Sequence, residues 1–128
     1  MKLARAGCVL VGLLALSGCS GHHEQLVRRG DVVREFKAHG IVLQNVHVYG
    51  DKDAITGGYF LASPPLAKVT LFVAVCRSEE IARKLALRRQ SPLPRTAAVE
   101  RRKNVVLYLT PELDPHSRRE ATEALRSL

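Results

Sequence analysis

Few side chains in this sequence combine a reactive type with the spacing that chemistry requires, and Cys76 is the foremost of them. It ends an apolar run and lies two residues before Ser78, a residue type that often begins a helix. A thiol near a helix N-terminus and beside a cation such as Arg77 can have a lowered pKa and act as a nucleophile. Glu79 and Glu80 oppose that effect, and free cysteine is among the most buried residue types. We therefore expect an inert core thiol, with a thiol-dependent enzyme centred on Cys76 as the alternative.

The histidines do not follow a metal-binding pattern. His22 and His23 are adjacent, whereas His39, His47 and His116 stand alone. Neither H-x₃-H nor H-E-x-x-H occurs, and no cysteine pair has zinc-site spacing. P-loop, dinucleotide-binding and nucleophile-elbow motifs are also missing from the sequence. We therefore expect no metal, no cofactor and no catalytic residue, and the histidines are interpreted as surface or helix-end residues.

Basic residues outnumber acidic ones by 20 to 12, which gives a formal net charge of +8. The chain has no tryptophan and few aromatic residues to interleave with these charges, so we expect no nucleic-acid partner. The densest basic run consists of Arg101, Arg102 and Lys103, and it is a candidate anion-binding site for an acidic polymer. Scattered charge that keeps a small domain soluble is the alternative.

The periodicity of apolar residues predicts the elements that position these groups. A first helix is capped by Asp31 and stopped by Gly40, with an earlier start at Glu24 as the alternative. Strands are predicted over 41–49, 57–62 and 68–76, the last of them central. Ser78 begins a second helix, and two strands over 96–100 and 105–109 follow it around a hairpin tip at 101–104, unless they form one long bent strand.

Asp114 and Pro115 form a cap and first-position pair for a last helix. Its apolar stripe consists of Ala121, Ala124, Leu125 and Leu128. The predicted order is α-β-(β)-β-α-β-β-α. This order favours a small single α+β domain over 26–128, with helices packed on one face of a mixed or antiparallel sheet.

The first nineteen residues have the features of an export signal. A basic start is followed by an apolar run over 6–16, which is too short to span a bilayer, and the run ends in Leu16-Ser17-Gly18-Cys19. This ending resembles the lipobox of bacterial prolipoproteins. The resemblance implies cleavage between Gly18 and Cys19 and attachment of lipid to the Cys19 thiol. An ordinary secretory signal followed by a free cysteine is the alternative.

The resemblance also implies a location outside the cytoplasm, anchored by lipid to a bacterial membrane. Ser20 stands where an aspartate is associated with inner-membrane retention in this family. We therefore expect the outer membrane where the cell has one, and otherwise the outer face of the cell membrane. Cleavage would remove the signal over 1–18 and leave 110 residues with a net charge of +6, because Lys2 and Arg5 leave with it. Residues 19–25 would form a tether of roughly 20 Å when extended.

Cysteine usage agrees with an anchor rather than with a disulfide framework. Cys8 would leave with the signal and Cys19 would carry lipid, so Cys76 is the one remaining thiol. We expect a membrane-anchored, non-enzymatic module that binds or scaffolds a component of the cell envelope, either a protein or an anionic polymer. The alternatives are the Cys76 enzyme and a protein that binds anionic envelope polymer electrostatically.

Replacing Cys19 tests the anchor. We expect Cys19→Ala to abolish incorporation of labelled palmitate in bacterial cells and to leave the signal uncleaved, because the lipobox resemblance implies that lipid attachment and cleavage both occur at Cys19. Cys8→Ala is the matched control and should be labelled like the natural chain. Equal labelling of Cys19→Ala, or cleavage of its signal, would contradict the lipobox.

Overall fold

The computed structural model describes residues 25–46, 55–63, 68–88 and 98–128. These residues form one small α+β domain with three helices and a five-stranded antiparallel sheet, which confirms the predicted class and order. Along the chain the elements are α1 (Arg29–Ala38), β1 (Gln44–Val46), β2 (Ile55–Ser63), β3 (Lys68–Cys76), α2 (Glu79–Leu87), β4 (Ala98–Arg102), β5 (Val105–Leu109) and α3 (Pro115–Arg126). Within the described ranges, no helix has the length and apolar character needed to cross a bilayer.

The sheet is built around β3, as the sequence predicts. Its strand order is β1-β2-β3-β5-β4, and every neighbouring pair is antiparallel. Residues 70–76 of β3 and all of β5 are buried. Because side chains alternate between the two faces of a strand, a strand that is apolar at every position has both faces covered.

The helices consequently lie on both faces of the sheet, and here the structure differs from the expectation of one helical face. On one face α1 and α3 pack over the apolar residues Leu71, Val73, Val75, Val105, Leu107 and Leu109. On the other face α2 packs over Phe72, Ala74, Cys76, Val106 and Tyr108. The continuous apolar runs of β3 and β5 carried this signal, because a sheet with one wet face would alternate apolar and polar residues.

Local capping signals set the ends of α2 and α3. The Ser78 hydroxyl accepts a hydrogen bond from the backbone N–H of Ile81 at 3.1 Å. The Asp114 carboxylate accepts one from the backbone N–H of Ser117 at 2.8 Å, and Pro115 occupies the first turn of α3. Both caps were predicted from residue type, because each serves N–H groups that have no partner inside the helix.

The first helix ends as predicted but begins earlier than its predicted cap. Gly40 follows α1 with φ +80°, a left-handed conformation that glycine adopts without a steric penalty. At the other end α1 starts at Arg29, so Asp31 lies within the first turn and its carboxylate pairs with Arg34. Residues 25–28 are not helical, so the alternative start at Glu24 is also wrong.

The hairpin between β4 and β5 is tighter than the predicted tip. Arg101 and Arg102 belong to β4, and Lys103 and Asn104 make the turn. Lys103 has φ +51°, a strained conformation for a residue with a side chain. The antiparallel register between β4 and β5 excludes the single bent strand.

Asn104 is a buried polar residue, 2% exposed, that joins three separate parts of the chain. Its side-chain oxygen accepts from the N–H of Val27 at 2.7 Å, and its amide nitrogen donates to the Val27 carbonyl at 3.0 Å. The same nitrogen donates to the Cys76 carbonyl at 2.9 Å, and the Asn104 carbonyl accepts from the N–H of Cys76 at 2.7 Å. The segment before α1, the end of β3 and the hairpin turn are therefore held together.

Candidate functional site

An open groove of about 420 Å³ runs beside α3. The prolines Pro111 and Pro115 and the buried Leu113 give it apolar surface. Its polar lining comes from one side of α3 and consists of Arg118, Arg119, Thr122, Glu123 and Arg126. Within this lining three arginines face one carboxylate, so the groove is cationic with an apolar part.

The sequence of α3 places these residues along the groove. Ala121, Ala124 and Leu125 are buried and dock the helix onto the sheet. Residues three or four positions apart lie on the same side of a helix, so Pro115, Arg118, Thr122 and Arg126 follow one another along the flank beside the 111–114 loop. The apolar stripe predicted for α3 therefore also determines which residues line the groove.

Arg118 is the most informative side chain of the groove. One terminal nitrogen of its guanidinium donates to the Thr110 carbonyl at 3.2 Å. Its Nε is buried and has no hydrogen-bond partner among the described residues. A guanidinium has five donors in a fork that fits a carboxylate through two parallel hydrogen bonds. Turning Arg118 into the groove would break its one hydrogen bond to Thr110 and allow such a bidentate pair.

The predicted anion-binding residues lie together at the hairpin and do not line the groove. Arg101 and Arg102 are exposed, and as adjacent strand residues they point to opposite faces of the sheet. Lys103 is half-buried, and its ammonium donates to the Leu128 carbonyl at 2.7 Å. Arg101 donates to the Lys103 carbonyl at 3.0 Å. Two of the three cations thus already bind backbone carbonyls, which makes the hairpin a weaker anion site than its sequence predicts.

Two further exposed arginines follow the residues that contact the hairpin turn. Asn104 binds Val27 and Cys76, and each of these is followed directly by an exposed arginine, Arg28 or Arg77. The predicted lipidation and cleavage residues Gly18 and Cys19 lie outside the described residues. Val27 is the first buried residue of the described chain after them.

The environment of Cys76 disfavours thiol chemistry. Burial raises the pKa of its thiol to about 11. On the same sheet face Tyr108 is fully buried, and burial, followed by the proximity of Cys76, raises the pKa of its phenol to about 12. Both groups are therefore protonated at neutral pH. The buried residues packed with them are apolar; they are Phe72, Ala74, Ala82 and Val106.

His39 has carboxylate partners that its isolated position in the sequence does not indicate. It is the C-terminal cap residue of α1, which agrees with the expected helix-end placement. Its Nδ1 lies 3.1 Å from a Glu120 oxygen in α3, 81 positions away in sequence, and its Nε2 lies 3.6 Å from a Glu35 oxygen. The Glu123 carboxylate lies nearby, and ligand atoms of His39, Glu120 and Glu123 are all within 4.8 Å of one another. Only the i, i+3 spacing of Glu120 and Glu123 was visible in sequence.

Comparison with known proteins adds no family to these observations: neither protein-family models nor curated proteins nor solved structures yield a match.

Alkylation of Cys76 tests whether its thiol is inert. At pH 8 we expect iodoacetamide to modify Cys76 at least about 100-fold more slowly than an exposed thiol, because a rise of about two pKa units lowers the thiolate fraction by that factor. Leu87→Cys supplies the reference thiol, since Leu87 is 75% exposed. Peptide mapping separates Cys76 from other thiols, and urea should abolish the difference. Comparable rates in the folded domain would restore Cys76 as a nucleophile.

Proposed function

We propose that this chain is a lipid-anchored, non-enzymatic binding module of the bacterial cell envelope, whose α3 groove holds an acidic segment of a partner protein. One observation carries the choice of site: Arg118 lines the groove with a buried Nε that has no hydrogen-bond partner among the described residues. A bound carboxylate would supply the acceptor that this nitrogen lacks once the guanidinium leaves the Thr110 carbonyl and turns into the groove. Arg119 and Arg126 add positive charge along the same flank.

The lining favours a polypeptide segment over a uniformly charged polymer. Pro111, Leu113 and Pro115 provide apolar surface that a sugar or phosphate polymer would not cover well. A segment with both acidic and apolar side chains would bury that surface while its carboxylates pair with arginine. Exposed ion pairs contribute only about 0.2–1 kcal/mol each, so the apolar contacts are needed for useful affinity.

The anchor supports this function because it would hold the groove close to its partner. A tether of six residues after Cys19 restricts the domain to a thin layer above the membrane, which raises the effective concentration toward other envelope proteins. The buried, protonated thiol and phenol favour binding over catalysis.

Site-specific photocrosslinking in intact cells tests the groove. A photoreactive amino acid replaces Thr122 in the groove or, as a control, Arg83 on α2, which packs on the opposite sheet face. We expect a defined protein adduct from position 122 and none from position 83. Removing charge with Arg119→Gln and Arg126→Gln should weaken binding roughly fivefold, since two exposed ion pairs are lost.

Substitution of the hairpin arginines distinguishes peptide binding in the groove from polymer binding at the hairpin. In the crosslinking strain, Arg101→Gln with Arg102→Gln should leave the position-122 adduct unchanged. If that pair abolishes the adduct while the groove pair does not, the anion site is the hairpin and the groove proposal is wrong. Failure of position 122 to crosslink any protein would also contradict it.

A further inference from the structure

Three possible metal ligands from α1 and α3 converge on one side of the domain. His39 ends α1 and is half-buried, as is Glu120, while Glu123 lies one helical turn further along α3. The His39 Nδ1 and a Glu120 oxygen are 3.1 Å apart, and one ligand atom from each of the three residues lies within 4.8 Å of the others. Ligands of a tetrahedral zinc ion lie about 3.3–3.5 Å from one another, given metal–ligand distances of about 2.0–2.1 Å. Small side-chain rotations would close this arrangement around an ion.

Glu35 adds an independent feature typical of metal-binding histidines. Its Oε1 lies 3.6 Å from the His39 Nε2, the ring nitrogen that faces away from Glu120. A histidine that binds metal through one nitrogen usually donates its other N–H to a carboxylate, which fixes the tautomer and the ring orientation. Glu35 is therefore placed to act as a positioning residue.

The charge around His39 also favours a cation. Three carboxylates surround one imidazole, and no described lysine or arginine forms an ion pair with Glu35, Glu120 or Glu123. The carboxylates repel one another, and Arg119 and Arg126 lie close enough along the helix to offset part of the charge on Glu123. A divalent ion would relieve the repulsion.

Two arginines of the groove lie close to Glu123 and would compete with a metal ion for its carboxylate. Arg119 and Arg126 are four residues before and three residues after Glu123, on the same side of α3, and all three line the groove. A cation at Glu123 would leave the groove with arginines and no free carboxylate in its lining. The metal site and the groove therefore share one residue but are separate proposals.

We infer that His39, Glu120 and Glu123 bind a divalent cation of the Zn²⁺ class and thereby link the end of α1 to α3. One imidazole nitrogen with two carboxylates is a donor set that zinc accepts, leaving a fourth position for water. Calcium would require six to eight oxygen ligands, which this cluster does not supply. The interpretation from sequence, that the histidines bind no metal, rested on local spacing and did not include ligands brought together by the fold.

Calorimetric titration with zinc chloride tests the site on the full chain purified in detergent. His22→Asn and His23→Asn form the background, because adjacent histidines bind metal weakly on their own. We expect one zinc ion per chain at the site and a zinc-dependent rise in Tm, since an ion that binds only the folded state stabilises it. Calcium chloride should produce neither effect.

Glu123→Gln is the decisive variant, because the His39–Glu120 contact remains intact in it. We expect at least tenfold weaker zinc binding, whereas Glu80→Gln, an exposed control on α2, should bind like the background. Glu35→Ala should weaken zinc binding by about tenfold, as positioning residues commonly do. Its Tm in EDTA checks that the fold is intact.

Two results would overturn the site. One is zinc binding that is equal in Glu123→Gln and Glu80→Gln. The other is a Tm that zinc does not raise in the background that carries His22→Asn and His23→Asn. In either case His39 and Glu120 form a structural contact between helices and nothing more.

Discussion

The arrangement of this domain depends most on the hydrogen bonds that the Asn104 side chain makes. At the turn of the β4–β5 hairpin, the Asn104 amide forms hydrogen bonds with the backbone of Val27 and Cys76, as the backbone of a neighbouring strand would. Backbone groups buried without partners cost about 1–3 kcal/mol each, so a side chain that satisfies three of them has a large effect on stability.

The hydrogen bonds of Asn104 help to position the elements that carry the candidate sites, namely α1, α3 and the hairpin. Val27 leads into α1, whose C-terminal cap residue His39 contacts Glu120 of α3. Lys103 of the hairpin donates to the carbonyl of Leu128, just after α3. These contacts hold α1 near both of its ends and α3 at its middle and just after its C-terminus. A lipid anchor at Cys19 would be connected to the domain through the segment that contains Val27, which contacts the hairpin turn.

Features encoded by neighbouring residues were predictable from the sequence. β3 and β5 match their predicted ranges, and the caps Ser78 and Asp114 act as residue type suggests, because capping and strand burial depend on a few adjacent positions. The order of elements follows from the same local signals. The placement of helices on both faces was missed, although the unbroken apolar runs of β3 and β5 indicated it.

The sites depend on contacts between distant residues, which a single sequence does not show. His39 meets Glu120 across 81 positions, and Asn104 meets Val27 across 77. Arg101, Arg102 and Lys103 stood out because they are consecutive, yet two of them bind backbone carbonyls. The arginines of the groove are spread over one flank of α3 and become a site only beside the 111–114 loop.

Equilibrium unfolding of Asn104→Ala in urea is the most direct test of this account, with Asn45→Ala as the control because Asn45 is exposed in β1. Loss of the three side-chain hydrogen bonds should lower the free energy of unfolding by about 2–4 kcal/mol, with little change in the control. A loss below about 0.5 kcal/mol, the range of ordinary surface substitutions, would show that the arrangement of the domain does not depend on Asn104.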